Sequence, residues 1–279
     1  MRIAMNASRF GGHTLEEMLK LCKDAGFDAV DIPVQNILGL PEWNEENYAE
    51  SAKKIKALCE ELDLPVVQAH AGGKTFEDIC RAIRIAALLG SPSIVVHPKI
   101  ARPYKGQEEK YFEMNMEFYG SFAPLLRELG IKIAVENMFG WDLERMVICH
   151  NIVSQTQEFL RYMDTLEERY PGCFTACVDV GHMALVGTDL YEVITALGKK
   201  NYLTALHVHD NDAHMDMHAP INIGTVNFAK VADALKEINY PGVFTLEVGI
   251  HSSIPRDLYP VTLRFIADVT RYYANLASN

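Results

Sequence analysis

Short apolar runs alternate with longer amphipathic stretches along the whole chain, and six of the runs share an ending. Pro65-Val66-Val67-Gln68-Ala69-His70, Ser93-Ile94-Val95-Val96-His97, Lys132-Ile133-Ala134-Val135-Glu136, Thr175-Ala176-Cys177-Val178-Asp179, Ala205-Leu206-His207-Val208-His209 and Phe244-Thr245-Leu246-Glu247 all stop on a His, Glu or Asp. Runs of this length, rich in β-branched residues, read as strands. The stretches between them have helical spacing. Leu15 to Ala25 has Thr14 in front as an N-cap, Glu16 and Glu17 in its first turn, and Gly26 behind as a stop. The same helix–turn–strand grammar recurs at Gly90, at Gly130 and at Asn239-Tyr240-Pro241-Gly242.

Strands are expected near 2–6, 28–32, 65–70, 93–97, 131–136, 174–179, 203–209 and 243–247, each followed by a helix, the last near 257–275. Eight such units over residues 1–279 predict a single-domain α/β protein, a (β/α)8 TIM barrel. A doubly wound open sheet is the alternative. The first turn, Asn6-Ala7-Ser8-Arg9-Phe10-Gly11-Gly12, lacks the glycine fingerprint of dinucleotide-binding sheets, so no organic cofactor is expected. Parallel strands in a barrel bring all six polar ends to one rim. The Asp210–Val226 connection is long and carries His214, Asp216, His218, Pro220 and Gly224, a composition suited to a built loop over that rim.

Alternation along each strand decides which side chains point inward. It pairs His207 with His209, Ala134 with Glu136, Cys177 with Asp179, and Thr245 with Glu247. Glu136, Asp179, His209 and Glu247 then converge at the C-terminal mouth. Three carboxylates and an imidazole suit Mn²⁺, Zn²⁺, Co²⁺ or Mg²⁺. Without a cation, carboxylates at that separation repel one another. His70 and His97 stand on adjacent strand ends, and Asp216-x-His218 is a pair that one turn can aim at a single ion. These four are candidates for additional metal or for substrate. His13, His150 and His251 read as surface or loop residues.

The chain carries 26 Lys and Arg against 37 Asp and Glu, a net charge of −11. Long-range attraction to nucleic acid is therefore not expected. Six cysteines without a C-x-x-C pair fit reduced thiols in a cytoplasmic protein. No apolar run reaches membrane-spanning length and no signal peptide is evident, so no membrane partner is expected.

Val178-Asp179-Val180-Gly181-His182, His207-Val208-His209-Asp210-Asn211-Asp212 and Asn222-Ile223-Gly224-Thr225-Val226-Asn227-Phe228 together resemble the xylose-isomerase-like TIM-barrel superfamily. That group includes sugar isomerases, epimerases and endonuclease IV. The resemblance spans strands three to eight and is specific to the superfamily, not to one reaction. By resemblance to its ketose 3-epimerase branch, Glu136, Asp179, His209 and Glu247 are the metal ligands. Glu136 and Glu247 double as the proton-transfer pair, and His182 and Asp142 contact substrate. Met215 stands where that branch has an arginine, so substrate recognition departs from it. The endonuclease IV branch, which holds three zinc ions, has counterparts in His70, His97, Glu136, Asp179, His182, His209, Asp216, His218 and Glu247. Its wedge tyrosine is absent from Ala71-Gly72-Gly73.

The expected activity is a metal-dependent isomerase or epimerase of a sugar, sugar phosphate or inosose. Its catalytic residues would be Glu136, Glu247 and His182, transferring a proton through an enediolate held by the ion. Trp141 is expected to stack on the apolar face of a small sugar or polyol. Lys99 begins a basic segment with Arg102, Lys105 and Lys110 that is expected near the substrate. A zinc phosphodiesterase of the endonuclease IV type is the alternative. Barrels of this kind often dimerise, which leaves a homodimer as an open expectation.

Overall fold

The computed structural model describes residues 1–8, 10–73, 75–100 and 102–278; Arg9 of the first turn falls outside them. The chain begins with β1 (Ile3–Asn6), α1 (Leu15–Ala25), β2 (Ala29–Pro33), α2 (Tyr48–Glu61), β3 (Val66–His70), α3 (Phe76–Leu89), β4 (Ser93–Val96), α4 (Glu108–Gly120), α5 (Ala123–Leu129) and β5 (Lys132–Glu136). A hairpin of β6 (Phe139–Asp142) and β7 (Val147–His150) follows. Then come α6 (Thr156–Arg169), β8 (Phe174–Asp179), α7 (Val180–Leu185), α8 (Leu190–Lys199), β9 (Leu203–His207), α9 (Phe228–Glu237), β10 (Phe244–Leu246) and α10 (Tyr259–Leu276).

Eight strands lie parallel in the order β10-β1-β2-β3-β4-β5-β8-β9. The ring closes where Val208 N donates to Thr245 O at 2.9 Å and Glu247 N donates to Val208 O at 3.1 Å. This is a (β/α)8 barrel, as the alternation of runs predicts. Small residues fill its axis. Val95, Ala134, Cys177 and Ala205 form one buried interior cluster, and Ala4, Ala29 and Val243 form another. The outer core lies between strands and helices, where each helix turns in an apolar stripe such as Ile79, Ala82, Ile83, Ala86 and Leu89 of α3.

Thr14 caps α1 in a reciprocal box with Glu17, and Gly26 ends it with φ of 93°. At the turn before β10, however, the left-handed residue is Asn239 (φ 49°) and not Gly242. Strand ends also differ. The strands β4, β9 and β10 end at Val96, His207 and Leu246, with a single bridge from Val208 to Leu246 beyond β9. His97 and His209 therefore sit just past their strands, while Glu247 is still tied through its N–H to Val208 O. The β6–β7 hairpin is an addition to the expected plan. His13 lies in a loop, one of the two expected settings, but it is buried there and stacks on Tyr259 with centroids 5.1 Å apart. All six cysteines are free. No described helix is long and apolar enough to cross a membrane.

The loop after β9 is organised from below by Asp210. Its buried carboxylate accepts from Asn211 N (2.9 Å), Gly224 N (2.8 Å) and Val226 N (3.0 Å), while its backbone exchanges two bonds with Ala219. Gly224 is required there, because a Cβ would fall 2.0 Å from Asn211 O. Asp210→Ala strands three amides at once. We expect it to cost about 2–4 kcal/mol and to lower the melting temperature by roughly 5–10 °C, read by calorimetry. Asp210→Asn, which keeps one acceptor oxygen, should recover part of that loss.

Candidate metal centre

The strand ends place two groups of ligands side by side. The lower group centres on His207, which is fully buried at the end of β9. Its Nδ1 lies 2.7 Å from Glu136 Oε1 and 3.2 Å from Glu247 Oε2, and its Nε2 lies 3.7 Å from Asp31 Oδ2. His97 Nε2 approaches Glu136 Oε2 at 2.8 Å, and His70 Nε2 stands 3.0 Å from His97 Nε2. Two imidazole nitrogens at that distance share one proton at most, so one of them presents a lone pair.

The upper group gathers His182, His209, Asp216 and His218, with Asp179 at its edge. His209 Nε2 is 3.0 Å from Asp179 Oδ1 and 3.7 Å from Asp216 Oδ1. Asp216 Oδ2 lies 3.3 Å from His182 Nε2 and 3.2 Å from His218 Nε2. Backbone carbonyls fix the tautomers. His182 Nδ1 faces Asn137 O at 2.9 Å and His218 Nδ1 faces Glu247 O at 2.8 Å. A carbonyl only accepts, so both Nδ1 atoms carry hydrogen and both Nε2 atoms turn toward the centre.

The backbone around these ligands is clamped. Asn137 bridges β5 to β8, donating to Asp179 O at 3.0 Å and accepting from Asp179 N at 2.8 Å. Asp179 in turn caps α7 through His182 N at 2.7 Å. Gly181 opens the space for His209, since a Cβ there would lie 2.0 Å from the ring.

Three combinations keep ligand atoms within 4.8 Å of one another: His182, His209, Asp216 and His218; Glu136, Asp179, His207 and Glu247; and His70, Glu136 and His207. Glu136 Oε2, His207 Nε2, His70 Nδ1 and Asp216 Oδ1 are buried without a hydrogen-bond partner. Buried polar atoms are ordinarily satisfied. Unpartnered carboxylate and imidazole atoms among these ligands fit a divalent cation, with oxygen and nitrogen donors throughout.

In the protein without metal, protons take the cation's place. Burial opposes a charge on His182, but Asp179 and Asp216 outweigh it and raise its pKa to about 10. His218 rises to about 9 against the same burial, driven by Asp216 and Glu247. Burial also opposes charge on His207, and the carboxylates around it raise its pKa well above the usual value. Glu136 is correspondingly held well below its ordinary value despite burial, by His207 and His97.

The arrangement redistributes the expected ligands. His209 falls in the upper group, and His207 takes its expected place beside Glu136, Asp179 and Glu247. Asp31, buried behind His207, also joins the lower group. Trp141 lines the mouth, as do His70, His97, Asp216 and His218. Asp142 and Lys99 do not reach the cavity. Asp142 Oδ1 accepts from Glu144 N (3.0 Å) and Arg145 N (3.1 Å), which commits it to the hairpin turn. Lys99 Nζ sits 4.3 Å from the Phe118 ring centroid, directed at α4.

The cavity above the ligands has a volume of about 500 Å³. Ile100, Met138, Phe139 and Trp141 supply apolar wall, and Gln35 and Arg102 add polar groups to the lining. A (β/α)8 barrel with a ring of carboxylates and imidazoles at its C-terminal mouth is the architecture of barrel enzymes that act through bound ions. Residues 19–269 match the family model described as the xylose isomerase-like TIM barrel, and the chain belongs to that family. It is 28% identical over 259 residues to an uncharacterised protein of Methanocaldococcus jannaschii, covering 88% of this chain and 83% of that one. It is 22% identical over 247 residues to the L-ribulose-5-phosphate 3-epimerase of Salmonella typhi, covering 83% and 81%. The fold also resembles the crystal structure of a D-tagatose 3-epimerase-like protein, with a TM-score of 0.75 at 20% identity, covering 99% and 98%.

Because His182 and His218 hold protons up to about pH 10 and 9, a cation must displace them. Affinity for Zn²⁺ or Mn²⁺ should rise by about one to two orders of magnitude per pH unit between pH 6.5 and 8.5. Calorimetry in buffers of different ionisation enthalpy should record proton release on binding. An affinity that does not change with pH would remove these two histidines from the ligand set.

Proposed function

We propose that the protein is a divalent-metal-dependent sugar isomerase or epimerase that works by proton transfer. The observation that carries this reading is the convergence of Glu136 and Glu247 on one nitrogen of His207, beneath a cavity with an apolar wall. Two strands, β8 and β9, stand between theirs in the barrel, so the two carboxylates approach that point from different directions. Wide separation was the sequence expectation; the actual approach is close, and it suits two groups acting on one carbon.

Glu136, Asp179, His207 and Glu247 would hold the ion, and the upper histidines with Asp216 form a second set. A bound divalent ion supplies a Lewis acid that polarises a carbonyl and acidifies the neighbouring C–H. One carboxylate, Glu136 or Glu247, takes that proton, and the other returns a proton from its own side for epimerisation. With an ion in the lower set only, His182 keeps its proton, and its inward Nε2–H can donate a hydrogen bond to oxygen that gains negative charge. Phe139 packs edge-on against His182 at 5.0 Å and helps hold the ring in place. Trp141 offers a flat apolar surface to the C–H face of a sugar and restricts water. The epimerase names among similar proteins agree with this reading.

A second reading is a zinc phosphodiesterase of the endonuclease IV type. The specific observation in its favour is that all nine of its expected ligands meet in the two groups. The net charge of −11 opposes it, since long-range attraction to a polyanion is missing.

Glu247→Gln should keep the fold while solvent deuterium incorporation into substrate falls about 100- to 10,000-fold, the usual worth of a proton-transfer group. Metal content measured on the same samples separates lost base from lost ion. Undiminished exchange would remove Glu247 from proton transfer. One metal per chain supports the isomerase reading. Two or three zinc ions, with nicking of an abasic-site duplex at catalytic protein levels, would support the phosphodiesterase.

A further inference from the structure

Resting on the sugar reading above, we infer that the substrate carries an anionic group and that Arg102 is its counter-charge. Among the described residues lining the cavity, Arg102 is the one Lys or Arg. It belongs to the loop between β4 and α4, where Lys99 and Lys105 do not line the cavity. Lys99 lies over Phe118, and Lys110 lies 5.6 Å from the Tyr111 centroid. Arg102 itself makes no ion pair or side-chain hydrogen bond among the described residues. In a chain with 37 acidic and 26 basic residues, an unpaired guanidinium facing a cavity is available to a ligand.

The loop is pinned on both sides of this residue. Upstream, Asn115 grips Lys99 twice, accepting from its N at 2.7 Å and donating to its O at 3.1 Å. Downstream, Gln107 Nε2 donates to Pro103 O at 2.8 Å, and buried Tyr104 bonds the Glu158 carboxylate on α6. Lys99, Pro103 and Tyr104 are thus anchored on either side of Arg102.

The cavity lining then combines two chemistries. Carboxylates and imidazoles suit an ion and the oxygens of a carbonyl and hydroxyl. Arg102 lines the same cavity, as does Gln35, whose buried and unpartnered Oε1 can accept from a hydroxyl. The guanidinium fork matches the paired oxygens of a phosphate ester or of a carboxylate, so a sugar phosphate and a sugar acid share the required chemistry. A neutral sugar would leave the guanidinium unused.

The test uses the metal-loaded full chain with D-fructose, D-fructose 6-phosphate and D-fructuronate. Binding is followed by ligand-observed NMR, and turnover by solvent deuterium incorporation. Wild type should bind one of the two anionic ketoses about 10- to 100-fold more tightly than D-fructose, the range for a charge-assisted hydrogen bond. The anion with the larger preference identifies phosphate or carboxylate. Arg102→Gln should abolish that preference and Arg102→Lys should restore part of it. Equal binding of neutral and anionic ketoses by wild type, or an unchanged preference in Arg102→Gln, would overturn the assignment. The sugar reading fails separately: a preference that depends on Arg102, with no exchange in any ketose, sustains the anion site and removes the isomerase. Exchange with D-fructose alone does the reverse.

Discussion

Burial of charge at the barrel mouth is the constraint on which the rest of this structure depends. Asp31, Glu136 and Asp179 are inaccessible to water, and an unpaired carboxylate in such a place is strongly disfavoured. Each is matched by imidazole: Asp31 and Glu136 by His207, and Asp179 by His209 and His182. The matching is incomplete, because several of these atoms have no hydrogen-bond partner. A partly satisfied buried network costs stability and is retained where function needs it. The donors gathered here are oxygen and nitrogen atoms, a set suited to a divalent ion.

Two glycines and two polar side chains keep this arrangement in place. Gly181 permits His209 to lie against the start of α7, and Gly224 permits the loop after β9 to fold back on Asn211. Asn137 joins β5 to β8, and Asp210 closes the loop that presents Asp216 and His218. None of these four needs to contact a ligand. They set where ligand-bearing backbone can go, so the site is built by the barrel rim and not by flexible loops alone.

Much of the barrel was legible in the sequence because strand period and helix period differ and the glycine stops are local. The inward direction of Glu136, Asp179 and Glu247 followed from alternation. Height along the barrel axis did not. His207 and His209 share a face but differ by two residues of rise, about 6.5 Å, enough to put them in different ligand groups. Asp31 sits in the middle of β2 and gave no sign of facing His207. The β6–β7 hairpin was hidden because its turn uses Met146 at φ 55°, where glycine or asparagine would have marked it. Asp142 and Lys99 were drawn to local partners, a turn and an aromatic ring, that spacing along the chain does not reveal.

The division of labour around the rim follows from where each strand stops. β9 and β10 end at His207 and Leu246, and Glu247 still donates its N–H to Val208 O where the ring closes. His209 and Glu247 are joined there to the long loop, since His218 bonds Glu247 O and Asp216 faces His209. β4 ends at Val96, and His97, just past it, meets Glu136 and His70 and so belongs to the same network. The segment beyond His97 has anchors of its own in Asn115, Gln107 and Glu158, none of which is among the network's side chains. His97 is thus the point at which the strand-end network passes into a loop held by other contacts, and loops of a barrel rim held in this way can vary without disturbing the strand ends.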